Sequence, residues 1–209
     1  MCPVDSSIWK CVLDWNTLAA MQLSSLLAAM DGLNGVVRKK LPHVRIFHET
    51  YRLITERMGE TPQRFEDPDG MADFAKSFAD LYLKNVEAHL AKQSVGPHWQ
   101  RLFHNPPKGA LLQLWAGART HIVYDYLFSL KAPEHPSVRD LREMEQLQRE
   151  LIPEMVALLR AQGSGLARLG QRLPFLASWG YLPVKFWRAG ALRRAKRTWL
   201  QAESTNALS

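Results

Sequence analysis

After Asp67 the apolar residues Met71, Phe74, Phe78, Leu81 and Tyr82 recur at every third or fourth position. That spacing gathers them on one face of a helix, where a strand would scatter them over both sides of a sheet. The intervening Asp73, Lys76, Asp80, Lys84 and Glu87 alternate in charge and suit a solvated face. The acidic stretch EDPDG before them supplies capping side chains. A segment of this kind must lay its apolar face on other helices. No stretch of the chain shows sustained period-two alternation bounded by turn residues, so no strand is predicted.

The same periodicity recurs elsewhere. Asn16 caps a helix predicted to run to about Met30 and to stop at Asp31-Gly32. A second spans about His43 to Met58, with Val44, Phe47, Tyr51, Ile54 and Met58 on one face. KQSVGPHWQRLFHNPPKG reads as a loop with one short turn, closed by Pro106-Pro107. From about Lys108 to Leu130 the chain is apolar on nearly every side, which marks a buried central helix. A long amphipathic helix follows from Ser137 to about Arg160, kinked at Pro153 and ended by the GSG at 163–165. A basic helix from about Pro183 to Gln201 closes the chain. The expected fold is therefore all-α: one domain over residues 1–209, with six to eight helices packed around the central one. Residues 1–31 form an N-terminal helical arm and residues 183–201 the basic C-terminal helix. A chain of 209 residues is long enough for one full core, and no linker or repeat divides it.

The net charge of +7 favours anionic partners. The two cysteines, Cys2 and Cys11, have neither zinc-site nor disulfide-framework spacing; a reducing cytoplasm is the natural reading, with a single disulfide between them as the alternative. WNTLAAMQLSSLLAAM is too polar for an export signal and too short to span a bilayer.

Chemistry concentrates in GARTHIVYDYLF, residues 117–128. His121 and Asp125 are four apart and share a helix face. The carboxylate can fix the imidazole's tautomer and raise its basicity, as general acid–base catalysis requires. Equally, the two can be a satisfied core pair. Metal ligation needs a third and fourth ligand, and neither HExxH nor paired ExxH helices occur. Gly117, one turn before His121, leaves room for something to approach the ring. Arg119 falls among Trp115, Ile122 and Tyr126, and a buried guanidinium there requires a carboxylate from the protein or a ligand. Tyr124 offers a phenol. His48 lies beside the stripe of the second helix, between Val44 and Tyr51. His98 and His104, in the loop before the central helix, are placed to form a lid.

KFWRAGALRRAKRTW carries Lys185, Arg188, Arg193, Arg194, Lys196 and Arg197 without an acid, interleaved with Phe186, Trp187 and Trp199. Such a helix can lie on an anionic bilayer or pack its aromatic side on the bundle with its charges solvated. No helix-turn-helix, zinc finger or RNA-binding sheet points to nucleic acid.

The chain resembles an uncharacterised bacterial all-helical family, a domain of unknown function, over most of its length after about residue 30. The family's central helix reads roughly LLGMNAHINYDL, against LWAGARTHIVYDYL here, so Gly117, His121, Tyr124 and Asp125 match. FEDPDGMADFAKSFADLYLKNVEAHL, IFHETYRLIT and RDLREMEQLQRELIPEM are similar to further family segments. The resemblance implies an all-helical fold and brings no established activity. Asparagines of the family appear here as Arg119, Val123 and His48, which suggests a pocket reshaped toward an anionic ligand or proton transfer.

Taken together, these residues point to a small-molecule enzyme that needs no cofactor and no metal. Its predicted catalytic groups are His121, Asp125 and His48. Arg119, Tyr124, Gly117, Tyr51 and Trp115 are predicted to contact a hydrophobic substrate with an acidic or carbonyl group. Hydrolysis, decarboxylation, isomerisation and cyclisation all suit such a site. A non-catalytic carrier for a hydrophobic anion and a metal-dependent hydrolase are the alternatives. Peripheral membrane contact through the basic helix remains open, as does the oligomeric state.

Overall fold

The computed structural model describes residues 7–125, 129, 136–164, 183–184, 186–191 and 193–194, with residues 7–17 given by their backbone. No strand occurs among them. The fold is all-α, built on one hydrophobic core.

Helix α1, Ser7–Lys40, is longer than expected at both ends: Asn16, expected to cap it, lies inside it, and Asp31-Gly32 does not stop it. Gly32 and Gly35 both lie on its exposed side, with open space where a Cβ would stand. A helical glycine costs about 1 kcal/mol relative to alanine. The opposite face buries Met30 and Val37 completely, and each such side chain contributes about 1.5–3 kcal/mol. Burial outweighs propensity, so the helix continues. Arg38, Lys39 and Lys40 in its last turn complement the negative end of the helix dipole.

α1 packs along α2, Arg45–Glu60, and along α3, Pro68–Leu90. A 3-10 turn at Pro62–Arg64 joins the last two. The start of α3 matches the sequence signal: the Asp67 carboxylate accepts from the Gly70 N–H at 2.9 Å, and Pro68 takes the first helical position.

The segment read as a loop before the central helix contains a regular helix, α4, Pro97–His104. Pro97 presets its first turn. Trp99, Leu102 and Phe103, three and four apart, are buried on one face. Polar neighbours and flanking prolines mask this short stripe in the sequence.

α5, Ala110–Thr120, continues as a π turn at His121–Asp125. It is not buried all round, as its composition suggested. Leu114, Gly117, Thr120, His121 and Asp125 face inward, whereas Leu112 is 50% exposed and Arg119 is exposed. α2 and α3 carry the longer buried faces, and α5 covers one side of them. Ser129 is helical and buried; residues 126–128 and 130 lie outside the described residues.

The helix predicted over Ser137–Arg160 is two: α6, Val138–Glu150, and α7, Ile152–Ala161. They meet at Leu151, and Pro153 falls in the first turn of α7, where its missing N–H costs nothing. Ser137 caps α6 by accepting from the Asp140 N–H. Asp140 in turn accepts from the Glu66 N–H at 2.6 Å, and Arg64 pairs with Glu143 and Glu150. This clamp fixes α6 against the start of α3.

Where described, residues 183–194 are helical, with Ala191 buried and Phe186 71% exposed. Lys185, Lys196, Arg197 and Trp199 lie outside the described residues, as does Cys2.

Candidate functional site

Helices α2, α3, α5, α6 and α7 line a partly open cavity of about 170 Å³. Cavities of about 150 Å³ lined by apolar side chains hold a guest the size of benzene. Phe47, Tyr51, Phe74 and Phe78 form one wall; Leu114, Trp115, Met144 and Met155 stand among the others. Among the described residues, the wall contains no aspartate or glutamate.

His121 belongs to this wall. Its Nδ1 lies 2.8 Å from Asp125 Oδ2, an oxygen that also accepts the Trp99 indole N–H at 3.0 Å. A carboxylate only accepts, so Nδ1 carries the imidazole hydrogen and donates it. The lone pair is then on Nε2, which is buried and has no hydrogen-bond partner. Phe78 stacks on the ring, with centroids 3.6 Å apart and planes 13° off parallel. Phe47 meets it edge-on at 5.7 Å. Burial lowers the His121 pKa, and Asp125 only partly offsets this, so the imidazole is neutral.

Two further orphaned polar atoms belong to the same wall: the Tyr51 hydroxyl and Thr50 Oγ1, both buried and without a partner. The Tyr51 ring centroid is 4.8 Å from that of His121. Burial, with the Asp125 charge adding to it, pushes the Tyr51 pKa well above its ordinary value, so the phenol is a donor only in its protonated form and stays protonated. A neutral acceptor and a neutral donor thus stand side by side in apolar surroundings. Leaving buried polar groups unpaired costs about 1–3 kcal/mol each, a cost that a ligand with matching polar atoms removes.

A model of DUF5995, a family of unknown function, matches residues 23–208. The chain belongs to this family. The match starts inside α1 and takes in every residue of the cavity wall of this DUF5995 chain. No curated protein and no solved structure matches it.

The DUF5995 chain brings together only part of the predicted site. His121, Asp125, Tyr51 and Trp115 converge. Gly117 does leave room beside His121, but Phe47 fills it: a Cβ on Gly117 would stand 2.6 Å from Phe47 Cγ. His48 is elsewhere. Its Nε2 lies 3.0 Å from the Met30 carbonyl, which can only accept, so Nε2 donates and Nδ1 accepts from the Tyr82 hydroxyl at 2.9 Å. Both nitrogens are spent on tying α1, α2 and α3 together. Arg119 is exposed and needs no buried carboxylate. Two residues before His121, it lies about 200° around the helix, on the uncovered side of α5. Tyr124 stacks on His98 of α4, away from the cavity wall. His98 thus covers Tyr124 rather than the cavity, and His104 sits edge-on to His89.

Trp99, Thr50 and Arg188 were not singled out by sequence. Trp99 was hidden in the supposed loop, although its spacing to Leu102 and Phe103 carried the signal. Arg188 was one of several charges in the tail, and it too belongs to the cavity wall. Among the described residues no group of three or more His, Cys, Asp or Glu is placed to hold a metal ion. No helix among them is long and apolar enough to cross a membrane.

Proposed function

We propose that this protein is an acid–base enzyme acting on a small hydrophobic molecule that bears a carbonyl group, with His121 as the base. The observation that carries this reading is the unpartnered His121 Nε2 on the wall of an apolar cavity, while Nδ1 is held by Asp125. His121 Nε2 takes a proton from the carbon next to the carbonyl. The electron pair moves onto the carbonyl oxygen, which receives a hydrogen bond from the Tyr51 hydroxyl. The Asp125 carboxylate stabilises the imidazolium formed, and Trp99 keeps that carboxylate in place. In a substrate with a neighbouring carbon–carbon double bond, returning the proton from the His121 imidazolium to the far carbon of the dienolate gives isomerisation; attack of the enolate carbon on a second carbonyl of the same molecule opens that C=O bond, its oxygen takes the proton from His121, and a ring is formed. Hydrolysis fits less well, because an apolar wall offers an attacking water few partners. The chemistry is complete with protein side chains alone, and the reducing cytoplasm is the setting that the cysteine pattern favours.

A carrier for the same guest is the second reading, favoured by how apolar the wall is. The test is exchange of α-hydrogens for deuterium, followed by NMR in D2O, over a panel of small hydrophobic ketones and keto acids. The wild type is expected to accelerate exchange for a subset. His121→Gln is expected to slow that exchange about 10²–10⁴-fold with binding retained, and Tyr51→Phe about 10²-fold. Binding without exchange across the panel selects the carrier. Absence of any binding overturns both readings.

The basic C-terminal segment does not need a membrane to account for two of its charges. Arg188 donates to Gln148 Oε1 at 2.6 Å, and Arg194 donates to the Val123 carbonyl at 3.2 Å.

A further inference from the structure

We infer that the cavity is selective for an organic monocarboxylate, with Arg188 of the C-terminal segment holding the carboxylate and the apolar body lying toward His121. This deepens, and rests on, the reading of the cavity as a ligand site.

Three observations combine. Arg188 lines the same cavity as His121 and, among the described residues, is the only Lys or Arg to do so. Among those residues no Asp or Glu shares that wall, and no carboxylate forms an ion pair with Arg188. Its described hydrogen bond is to Gln148, a neutral amide. A partly buried guanidinium beside an apolar hollow calls for a counter-charge, and among the described residues Arg188 has only an amide beside it. An incoming carboxylate supplies it, and the planar fork of guanidinium donors matches the two oxygens of that group. A phosphate dianion would call for more than one cation, and the wall provides one.

The orphaned Tyr51 hydroxyl and His121 Nε2 then meet a second polar atom in the ligand body, so a keto acid answers both ends of the cavity.

Isothermal titration with a matched pair of probes, octanoate and 1-octanol, tests it at neutral pH. The two share a chain and differ in charge. Wild-type protein is expected to bind octanoate at least about tenfold more tightly than 1-octanol. It should also bind octanoate more tightly than hexanoate, by about fourfold per methylene. Arg188→Met is expected to abolish the preference for the acid while leaving 1-octanol affinity unchanged. Arg188→Lys should keep most of the preference, and Arg193→Met, which alters an exposed charge off the wall, should keep all of it. Equal binding of acid and alcohol by the wild type overturns the inference. So does a preference that survives Arg188→Met, or one lost equally in Arg193→Met, since either traces it to net charge. In those cases the cavity remains a ligand site. Failure to bind either probe overturns the cavity reading itself.

Discussion

At Gly117 one added methyl group would run into the base of a packed core side chain. The added Cβ would stand 2.6 Å from Phe47 Cγ and 2.7 Å from Phe47 Cβ. These are the root of that side chain, so rotating the ring cannot clear them. Alanine would gain up to about 1 kcal/mol of helix propensity over glycine, but forcing atoms into a packed core costs about 1–3 kcal/mol. Overpacking wins. Gly117→Ala should therefore destabilise the protein by about 1–2 kcal/mol net in urea denaturation; a stabilised variant would show that α2 and α5 are not in tight contact. The pairing of His121 with Asp125 was legible because spacing alone puts them on one face. What surrounds them was not. His48 and Arg119 look like site residues in sequence because neither their partners nor the covered side of their helix is encoded nearby. His48 is satisfied by Met30 and Tyr82, which are distant in the chain, and Arg119 simply faces water.

At the scale of the element, a start was legible where a side chain caps it, as at Asp67 and Ser137, but not for α1, which begins nine residues before the expected cap Asn16. Asp67 and Ser137 each cap a helix through a side-chain oxygen that accepts a backbone N–H three residues on. That signal is local, so it survives in the sequence. Asp67→Ala should cost about 1 kcal/mol, measured as a lower urea midpoint with unchanged slope; no change would mean that Pro68 alone sets the start of α3. The stops depend on tertiary contacts. Gly32 and Gly35 fail to end α1 because the opposite face is buried, which composition does not report. The short α4 was missed for the converse reason: its eight residues offer too little periodicity to compete with the flanking prolines.

For the molecule as a whole, two histidines buried in their neutral form couple folding to pH. Burial is the leading cause that lowers the pKa of both His48 and His121. Unfolding returns each to the ordinary value near 6.5, so below that pH the unfolded chain binds more protons than the folded one. Stability is then fully present above about pH 6.5 and falls as acid is added, by at most about 1.4 kcal/mol per histidine for each pH unit. Urea midpoints at pH 7.5 and 5.5 should show this loss, and His48→Gln should reduce the difference between them. A difference of the same size in His48→Gln would assign the effect to other groups. The all-α class was legible because the segments of α2 and α3 carried a three-and-four recurrence and no stretch carried a period of two. The cavity was not, because it is made of side chains drawn from five helices and from Val184 and Arg188 far down the chain.

That division of labour bears on how such a protein diverges. His121, Asp125 and Trp99 come from two neighbouring helices in the middle of the chain, whereas Gln148 and Arg188 arrive from α6 and the C-terminal segment. On the proposed function, inherited changes in the later segments alter which molecules the cavity would take while the trio proposed to handle the proton passes unchanged from ancestor to descendant.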